Sequence, residues 1–385
     1  MHMDPLMPHI AGAALAIVVI GLVLRRFGQP LVVAYLLAGV ALGPQGIGLV
    51  DGGPVFERMG AFGVLLLLFF AGMEISPRAL IQRWRVAVLG TGLQIGISIG
   101  CVALVGAALD WGANRVVLLG CVISLSSTAV VLKVLRQGRD VDEEVGRDVV
   151  AVLLAQDLAV VPMLIGIGLL AGTGPGAEQI VLQVLGAIGA AALIWWVARR
   201  ERFELPFVRA LDGDPELQVF VALLVCSGFA VVASLLHLSA ALGTFLAGIV
   251  VGAAQETRRF HEHLKPFEVV FVAIFFVSVG LLIDLDFMRD EWVLVLGLVL
   301  VVLAANTGIN AFVLRLLGRS WRQGLVGASF LAQVGEFSFV LALVGHQSGI
   351  IGDFGYQTTL AVISVSLLVS PLWIFGVARA LRERA

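Results

Sequence analysis

The sequence predicts an all-α polytopic membrane protein. Thirteen transmembrane helices form two inverted six-helix repeats joined by a linker helix, with helices interrupted at mid-membrane. Three observations carry this expectation. The 385 residues have a mean hydropathy of +1.02, with 59% hydrophobic and only 14% charged residues, a balance that soluble domains of this size do not show. The basic residues fall almost entirely on one side of the counted spans. Short motifs of the first half recur in the second at a near-constant spacing.

Apolar runs of spanning length fall at about 10–25, 30–49, 56–76, 86–109, 115–136, 148–171, 178–198, 216–237, 239–255, 267–285, 292–314, 322–346 and 356–378. The first has no Lys or Arg between Met1 and Ile10, and its basic residues follow the apolar run. That is the wrong polarity for a cleaved signal, so it reads as a membrane helix. The second and ninth are short and glycine-rich. The first repeat covers about 10–171, the linker helix about 178–198 and the second repeat about 216–378. Two polar stretches, Arg136 to Asp148 (with Asp140, Asp142, Glu143 and Glu144) and Glu201 to Glu216, read as solvated cytoplasmic connections.

Charge placement tests the count independently. With thirteen spans, the loops after odd-numbered spans and the C-terminus share one side. That side collects all of the 25 Lys and Arg except Arg58, Arg115 and Arg289. An error in the number of spans would scramble this asymmetry. The positive-inside rule then places the C-terminus in the cytoplasm and the N-terminus outside.

Leu37 to Gly43 (LAGVALG) recurs as Leu246 to Gly252 (LAGIVVG). Phe69-Phe70 recurs as Phe275-Phe276, each pair followed by an acidic position, Glu74 or Asp284. Gly120 to Leu132 resembles Gly327 to Leu341. Six crossings return the chain to its starting side and the linker carries it across, so the second unit begins on the opposite face, the symmetry of alternating-access transporters. Helix breaks are then expected at matching places: Ser124 to Ala129 in span 5 and Ala332 to Glu336 in span 12. Unwound backbone at membrane depth is tolerated only where it is buried in protein or lines a cavity.

Asp157 is the candidate chemical centre. It lies mid-way along the apolar stretch from Val149 to Ala171, where an ionised carboxylate costs several kcal/mol unless compensated. Burial raises a carboxylate's pKa towards neutrality, so a proton and a cation can compete for the same oxygens. The second half reads Ile363-Ser364-Val365-Ser366 at the matching place, so the ion site belongs to one half. The alternative is a structural Asp bonded to a neighbouring helix. Gln156 points about 100° away from Asp157 on a helix; it either bonds the broken helix or helps select the ion. Ser126, Ser127 and Thr128 suit cation coordination through hydroxyls and carbonyls, or merely back-bond to their own turn. Glu336 is a second mid-membrane acid, either a proton carrier or, the favoured reading, a structural group paired with an Arg, for which Arg315 is one candidate. Glu74 and Asp284 read as boundary residues, and Asn306 and Asn310 as interhelical hydrogen-bonding groups.

Cys101, Cys121 and Cys226 all sit in apolar segments with no His or Cys spaced for ligation, so neither a disulfide framework nor a resident metal is expected. The formal charge of −2 points to no nucleic acid. There is no Walker or Gly-x-Gly-x-x-Gly fingerprint, no nucleophile–base set and no cofactor motif. The expected energy source is an ion gradient, and an enzyme is not expected.

Together these stretches resemble Kef-type potassium/proton antiporters: Ser126 to Ala129, Leu154 to Pro162 with the Gln156-Asp157 pair, Leu238 to Gly248, Phe69 to Glu74 and Ala332 to Phe339. The resemblance runs through essentially the whole chain, in order. It implies a homodimer built on a scaffold domain, a mobile core holding crossed broken helices, and Asp157 as the ion-binding group with a leaning towards K+. Two departures matter. Kef-like sequences usually carry a Lys in the span before the Gly-Glu-Phe segment, a position that falls at Asn306. Asn306 carries no charge, so Asp157 alone would handle both substrates, which favours electroneutral exchange; Asn306, Gln333 and Glu336 would support the site. Kef proteins also usually continue into a cytoplasmic nucleotide-binding regulatory domain, whereas this sequence stops at Ala385. It is either a naturally short member or a piece of a longer protein, and gating by nucleotide or glutathione does not follow. A separate cytoplasmic regulatory subunit is one candidate partner. The expectation is a secondary active K+ or Na+/proton antiporter in the lipid bilayer of a bacterial-type inner membrane. A cation channel or leak pathway on the same scaffold and a sodium-coupled organic-anion symporter are the alternatives.

Overall fold

The computed structural model describes residues 6–27, 29, 31–50, 54–74, 83–137, 143–170, 177–199, 214–236, 238, 240–253 and 257–382. Among them every regular element is a helix, as the composition requires. In chain order these are α1 (Leu6–Arg26), α2 (Leu31–Leu42), α3 (Pro54–Glu74), α4 (Arg85–Ala108), α5 (Ala113–Ser124), α6 (Thr128–Gln137), α7 (Glu143–Leu170) and α8 (Ala177–Arg199). They continue with α9 (Pro215–Leu235), α10 (Ala240–Ala253), α11 (Thr257–Leu281), α12 (Leu285–Asp290), α13 (Trp292–Leu316), α14 (Trp321–Phe330), α15 (Phe337–Gln347) and α16 (Asp353–Arg382). Among the described residues seven helices are long and apolar enough to cross a membrane, and shorter apolar helices lie between them.

Local chemistry explains where the elements depart from the hydropathy reading. α2 stops at Leu42, well before residue 49, because Gly43-Pro44 follows. The chain then curls into turns, with the Ile47 amide on the Ala41 carbonyl at 2.8 Å and Gly48 at φ +64°. α4 opens with a π turn over Arg85–Gly90. The short helix α12, absent from the sequence reading, is started by Asp284, whose carboxylate accepts from the Phe287 amide. α9 starts the same way, with Asp214 as cap and Pro215 in the first turn. The Glu201–Glu216 connection lies outside the described residues up to 213, as does the centre of the Arg136–Asp148 stretch.

The chain divides into two compact units. The first holds residues 1–56, 83–171 and 276–385, and the second residues 57–82 and 172–275. In the second, Phe69, Phe70 and Met73 of α3 pack with Ala222 and Cys226 of α9 and with Ala247 and Val251 of α10. There α3 and α10 approach so closely that a Cβ on Gly72 would lie 2.3 Å from the Phe245 carbonyl oxygen, and one on Gly248 2.0 Å from that of Phe69. In the first unit the same kind of approach joins α2 to the end of α11: a Cβ on Gly39 would lie 2.1 Å from the Val277 carbonyl oxygen, and one on Gly280 2.2 Å from that of Leu36. Only glycine permits either contact.

Polar ties hold both ends of the first unit. At one end Asp148, fully buried at the start of α7, pairs with Arg83 before α4 and with Arg319 after α13 (2.6 Å), and Arg319 also reaches Glu144. This corrects the reading of Asp148 as part of a solvated loop. At the other end of α7, the Asn114 amide donates to the Leu170 carbonyl at 2.8 Å. Before α13, Gln45 donates to Asp284 at 2.8 Å and Gln357 to the Leu282 carbonyl at 3.0 Å. The Phe287 amide and Gln45 hold the Asp284 carboxyl below its ordinary pKa. Its stabilising contribution is therefore present above the ordinary carboxylate range and is lost as pH falls through the depressed value.

Asp148→Ala is expected to cost about 3 kcal/mol of stability, because it strands two guanidiniums on a buried site. The value sits at the low end for a broken buried pair because Arg83 and Arg319 keep 26% and 22% of their side-chain surface in solvent. Thermal unfolding in detergent measures it.

Candidate cation site

α5 ends at Ser124 and α6 begins at Thr128; α14 ends at Phe330 and α15 begins at Phe337. Both interruptions fall where the sequence placed them. Serines drive the first, since their hydroxyls offer the backbone partners that compete with helix. Ser124 turns its hydroxyl onto the Cys121 carbonyl, and Ser127 caps α6 by accepting the Val130 amide. The two unwound segments meet. The Gly335 amide donates to the Leu125 carbonyl at 2.7 Å, and the Ser126 hydroxyl donates to the Leu331 carbonyl at 2.8 Å.

A shell of buried amides and hydroxyls satisfies the freed backbone. Gln156, fully buried on α7, accepts the Ser126 amide at 2.9 Å and donates to the Ser124 carbonyl and to Gln94 Oε1, both at 3.0 Å. Gln94 of α4 itself donates to the Ser124 carbonyl at 2.7 Å. Asn306 of α13 donates to the Ile123 and Ala332 carbonyls, at 2.8 and 3.0 Å, and so ties both segments together. The Ser366 hydroxyl of α16 accepts the Val334 amide, and the Ser338 hydroxyl donates to the Val122 carbonyl. Each partner takes a backbone group that a continuous helix would have used, which is what an apolar surround demands.

Asp157 sits on α7 beside this junction, 5% exposed, and accepts the Thr128 hydroxyl at 2.9 Å on Oδ2. Thr128 is the first residue of α6, so the carboxylate faces the positive end of that helix dipole. The hydroxyls of Ser126 and Ser127 are committed to scaffold bonds, and of the three only Thr128's reaches Asp157. Gln156 acts on the broken helix. Glu336 is buried just before α15, and Gln333 is buried within the second segment. Glu336 does not pair with Arg315, which is exposed and donates to the Arg319 carbonyl. The Glu74 side chain lies outside the described residues. Sequence reasoning missed Gln94, Ser338 and the bonding role of Ser366. Gln94 carried the same signal as Asn306, an amide inside an apolar helix.

A model of the transmembrane sodium/hydrogen exchangers matches residues 12–380. The chain belongs to that family. It is a member of the monovalent cation–proton antiporter superfamily, a group of membrane-embedded transporters. It is 36% identical over 381 residues to the "Iron transporter MagA" of Paramagnetospirillum magneticum, covering 99% of this chain and 88% of that one. It is 32% identical to the "Glutathione-regulated potassium-efflux system protein KefC" of Klebsiella pneumoniae, covering 96% of this chain. The chain spans 59% of the length of that relative. Among solved structures, the sodium proton antiporter MjNhaP1 of Methanocaldococcus jannaschii superposes with a TM-score of 0.68 at 17% identity, over 99% of both chains. That likeness concerns the fold.

Proposed function

We propose that this exchanger-family chain is a secondary active monovalent cation/proton antiporter. In this reading Asp157 binds either the cation or the proton, one at a time. The observation that carries it is a buried carboxylate against the Thr128 hydroxyl, at the first turn of α6, where two unwound segments join. A hydroxyl and a helix N-terminus beside one acid supply a ligand and charge without closing the site. With Asn306 uncharged and bonded to backbone, one carboxylate serves both substrates, which favours electroneutral exchange. A carboxylate and neutral oxygens are hard donors that suit an alkali cation, and the Kef likeness favours K+ over Na+. Iron, as in the name of the Paramagnetospirillum relative, would call for further anionic or nitrogen donors.

The reading includes thirteen spans as two inverted repeats, with the N-terminus outside and the C-terminus in the cytoplasm of an inner membrane, and a homodimer. The glycine contacts support the duplication. Exchanging the halves maps α2 onto α10, with Gly39 on Gly248, and α3 onto α11, so the glycine-mediated α2–α11 contact becomes the α3–α10 contact. The polar ties support the span count. Arg83, Asp148 and Arg319 flank connections after spans 3, 5 and 11, all assigned to one side. Gln45, Asn114, Leu170, Leu282 and Gln357 flank connections after even-numbered spans, assigned to the other.

Competition on one carboxylate has a direct signature. In proteoliposomes the apparent KM for K+ is expected to rise as pH falls, by about tenfold per unit once the carboxyl is mostly protonated. Saturating K+ restores the rate. A constant KM with a falling maximal rate would contradict competition at Asp157.

A further inference from the structure

An apolar cavity of about 240 Å³ lies in the first unit between α4, α5, α13 and α16. Val122 and Ile123 of α5, Val302 of α13, Val334 of the second unwound segment and Ile363 of α16 form its wall, and Cys101, an exposed residue of α4, its lip. The two threonines that touch it present no polar group, because Thr358 and Thr359 turn their hydroxyls onto the Phe354 and Gly355 carbonyls at 2.7 Å. A hydrated ion finds nothing there to replace its water, whereas a hydrocarbon chain finds a matching wall.

Trp111 and Gly355 also line this cavity, and between them stands a cation. The Arg115 guanidinium lies 4.4 Å from the centroid of the Trp111 ring, and a Cβ on Gly355 would lie 3.7 Å from Arg115 Nη2. Arg115 Nε is buried with no hydrogen-bond acceptor. Among the described residues no carboxylate stands within ion-pair distance of it, and Asp353, two residues before Gly355, is turned to His346 at 3.5 Å. A guanidinium with no carboxylate partner among the described residues, stacked on an indole beside an apolar groove in a membrane protein, is a phosphate-binding arrangement at bilayer-interface chemistry.

We propose that this groove binds one anionic phospholipid, with an acyl chain in the cavity and the headgroup phosphate on Arg115. The chain would lie against Ile123 and Val334, whose backbone groups are tied to Asn306 and Ser366. The bound lipid therefore backs the junction of the two unwound segments. The proposal depends on membrane embedding, and not on which cation is carried.

The test is native mass spectrometry of the full chain in detergent, with phosphatidylglycerol or phosphatidylethanolamine of identical acyl chains. Phosphatidylglycerol, whose phosphate has no ammonium of its own to pair with, is expected to bind about tenfold more tightly than the zwitterionic phosphatidylethanolamine. Arg115→Gln is expected to remove that preference by removing the positive charge the net anion is drawn to. Val302→Trp, which fills the cavity, should abolish retention of both lipids. Should that variant not fold, wild-type Cys101 provides a second readout: phosphatidylglycerol slows its labelling by an apolar maleimide at least tenfold, and inorganic phosphate does not. Equal binding of the two lipids, unchanged phosphatidylglycerol affinity in Arg115→Gln, or Cys101 labelling indifferent to lipid would each overturn the proposal. So would a Val302→Trp protein that keeps its lipid but changes oligomeric state, which would assign the groove to a second copy of the chain.

Discussion

Asp157→Asn is expected to reduce cation-dependent proton flux to background while leaving the protein folded. Asn matches Asp in size, and its carbonyl oxygen can still accept the Thr128 hydroxyl that now lies 2.9 Å from Asp157. The packing around α7 is therefore kept. What is lost is the charge, and with it both the cation's counter-ion and the proton's carrier. Losing charge-assisted contacts of about 3 kcal/mol corresponds to a fall of roughly a hundredfold or more. Removing an ionisable group from a buried site also relieves a desolvation cost, so the melting temperature should hold or rise. Flux measured with a pH dye, paired with thermal unfolding, separates the two effects. A variant with normal flux would make Asp157 a structural group.

Gly335→Val should have the larger structural effect. A Cβ at that position would stand 2.6 Å from the carbonyl carbon and oxygen of Ser126. Both are backbone atoms, and neither can swing aside. The segments must separate, which breaks the 2.7 Å bond from the Gly335 amide to the Leu125 carbonyl and disturbs the Ser126 amide held by Gln156. Each polar group left unpaired there costs about 1–3 kcal/mol, so the expected result is a loss of several kcal/mol of stability together with transport. Gly308→Ala on α13, where nothing lies within 4 Å of the new carbon, is the control, with little change expected. Equal behaviour of the two variants would mean that the junction is not held by close backbone approach.

The fold class was legible because a bilayer imposes a length and a polarity on every segment. The breaks were legible too, since hydroxyls and glycine stand where an apolar run should continue. Less could be read where partners come from distant segments. Asp148 looked like one more acid in a charged loop, yet Arg83 and Arg319 reach it from two other connections. Gln94 went unread, because its partners, Gln156 and the Ser124 carbonyl, come from other segments. The seryl hydroxyls illustrate the limit most clearly. Composition said that Ser126, Ser127 and Thr128 could all face an ion, but only geometry separates the hydroxyls that brace backbone from the one on Asp157. Helix ends were misplaced for local reasons, as at Gly43-Pro44 and the Asp284 cap.

Coupling is the heart of the account, and one measurement reaches it. Proteoliposomes containing the wild-type chain are loaded with K+, diluted into K+-free buffer and followed with an internal pH dye, with Asp157→Asn vesicles as the blank; Na+ is then substituted for K+. The account predicts that outward K+ movement drives protons inward and builds a pH gradient, faster with K+ than with Na+. It also predicts that an imposed membrane potential leaves the rate unchanged. Cation loss without proton movement, at a rate set by the potential, would contradict it and make the chain a conductive pathway.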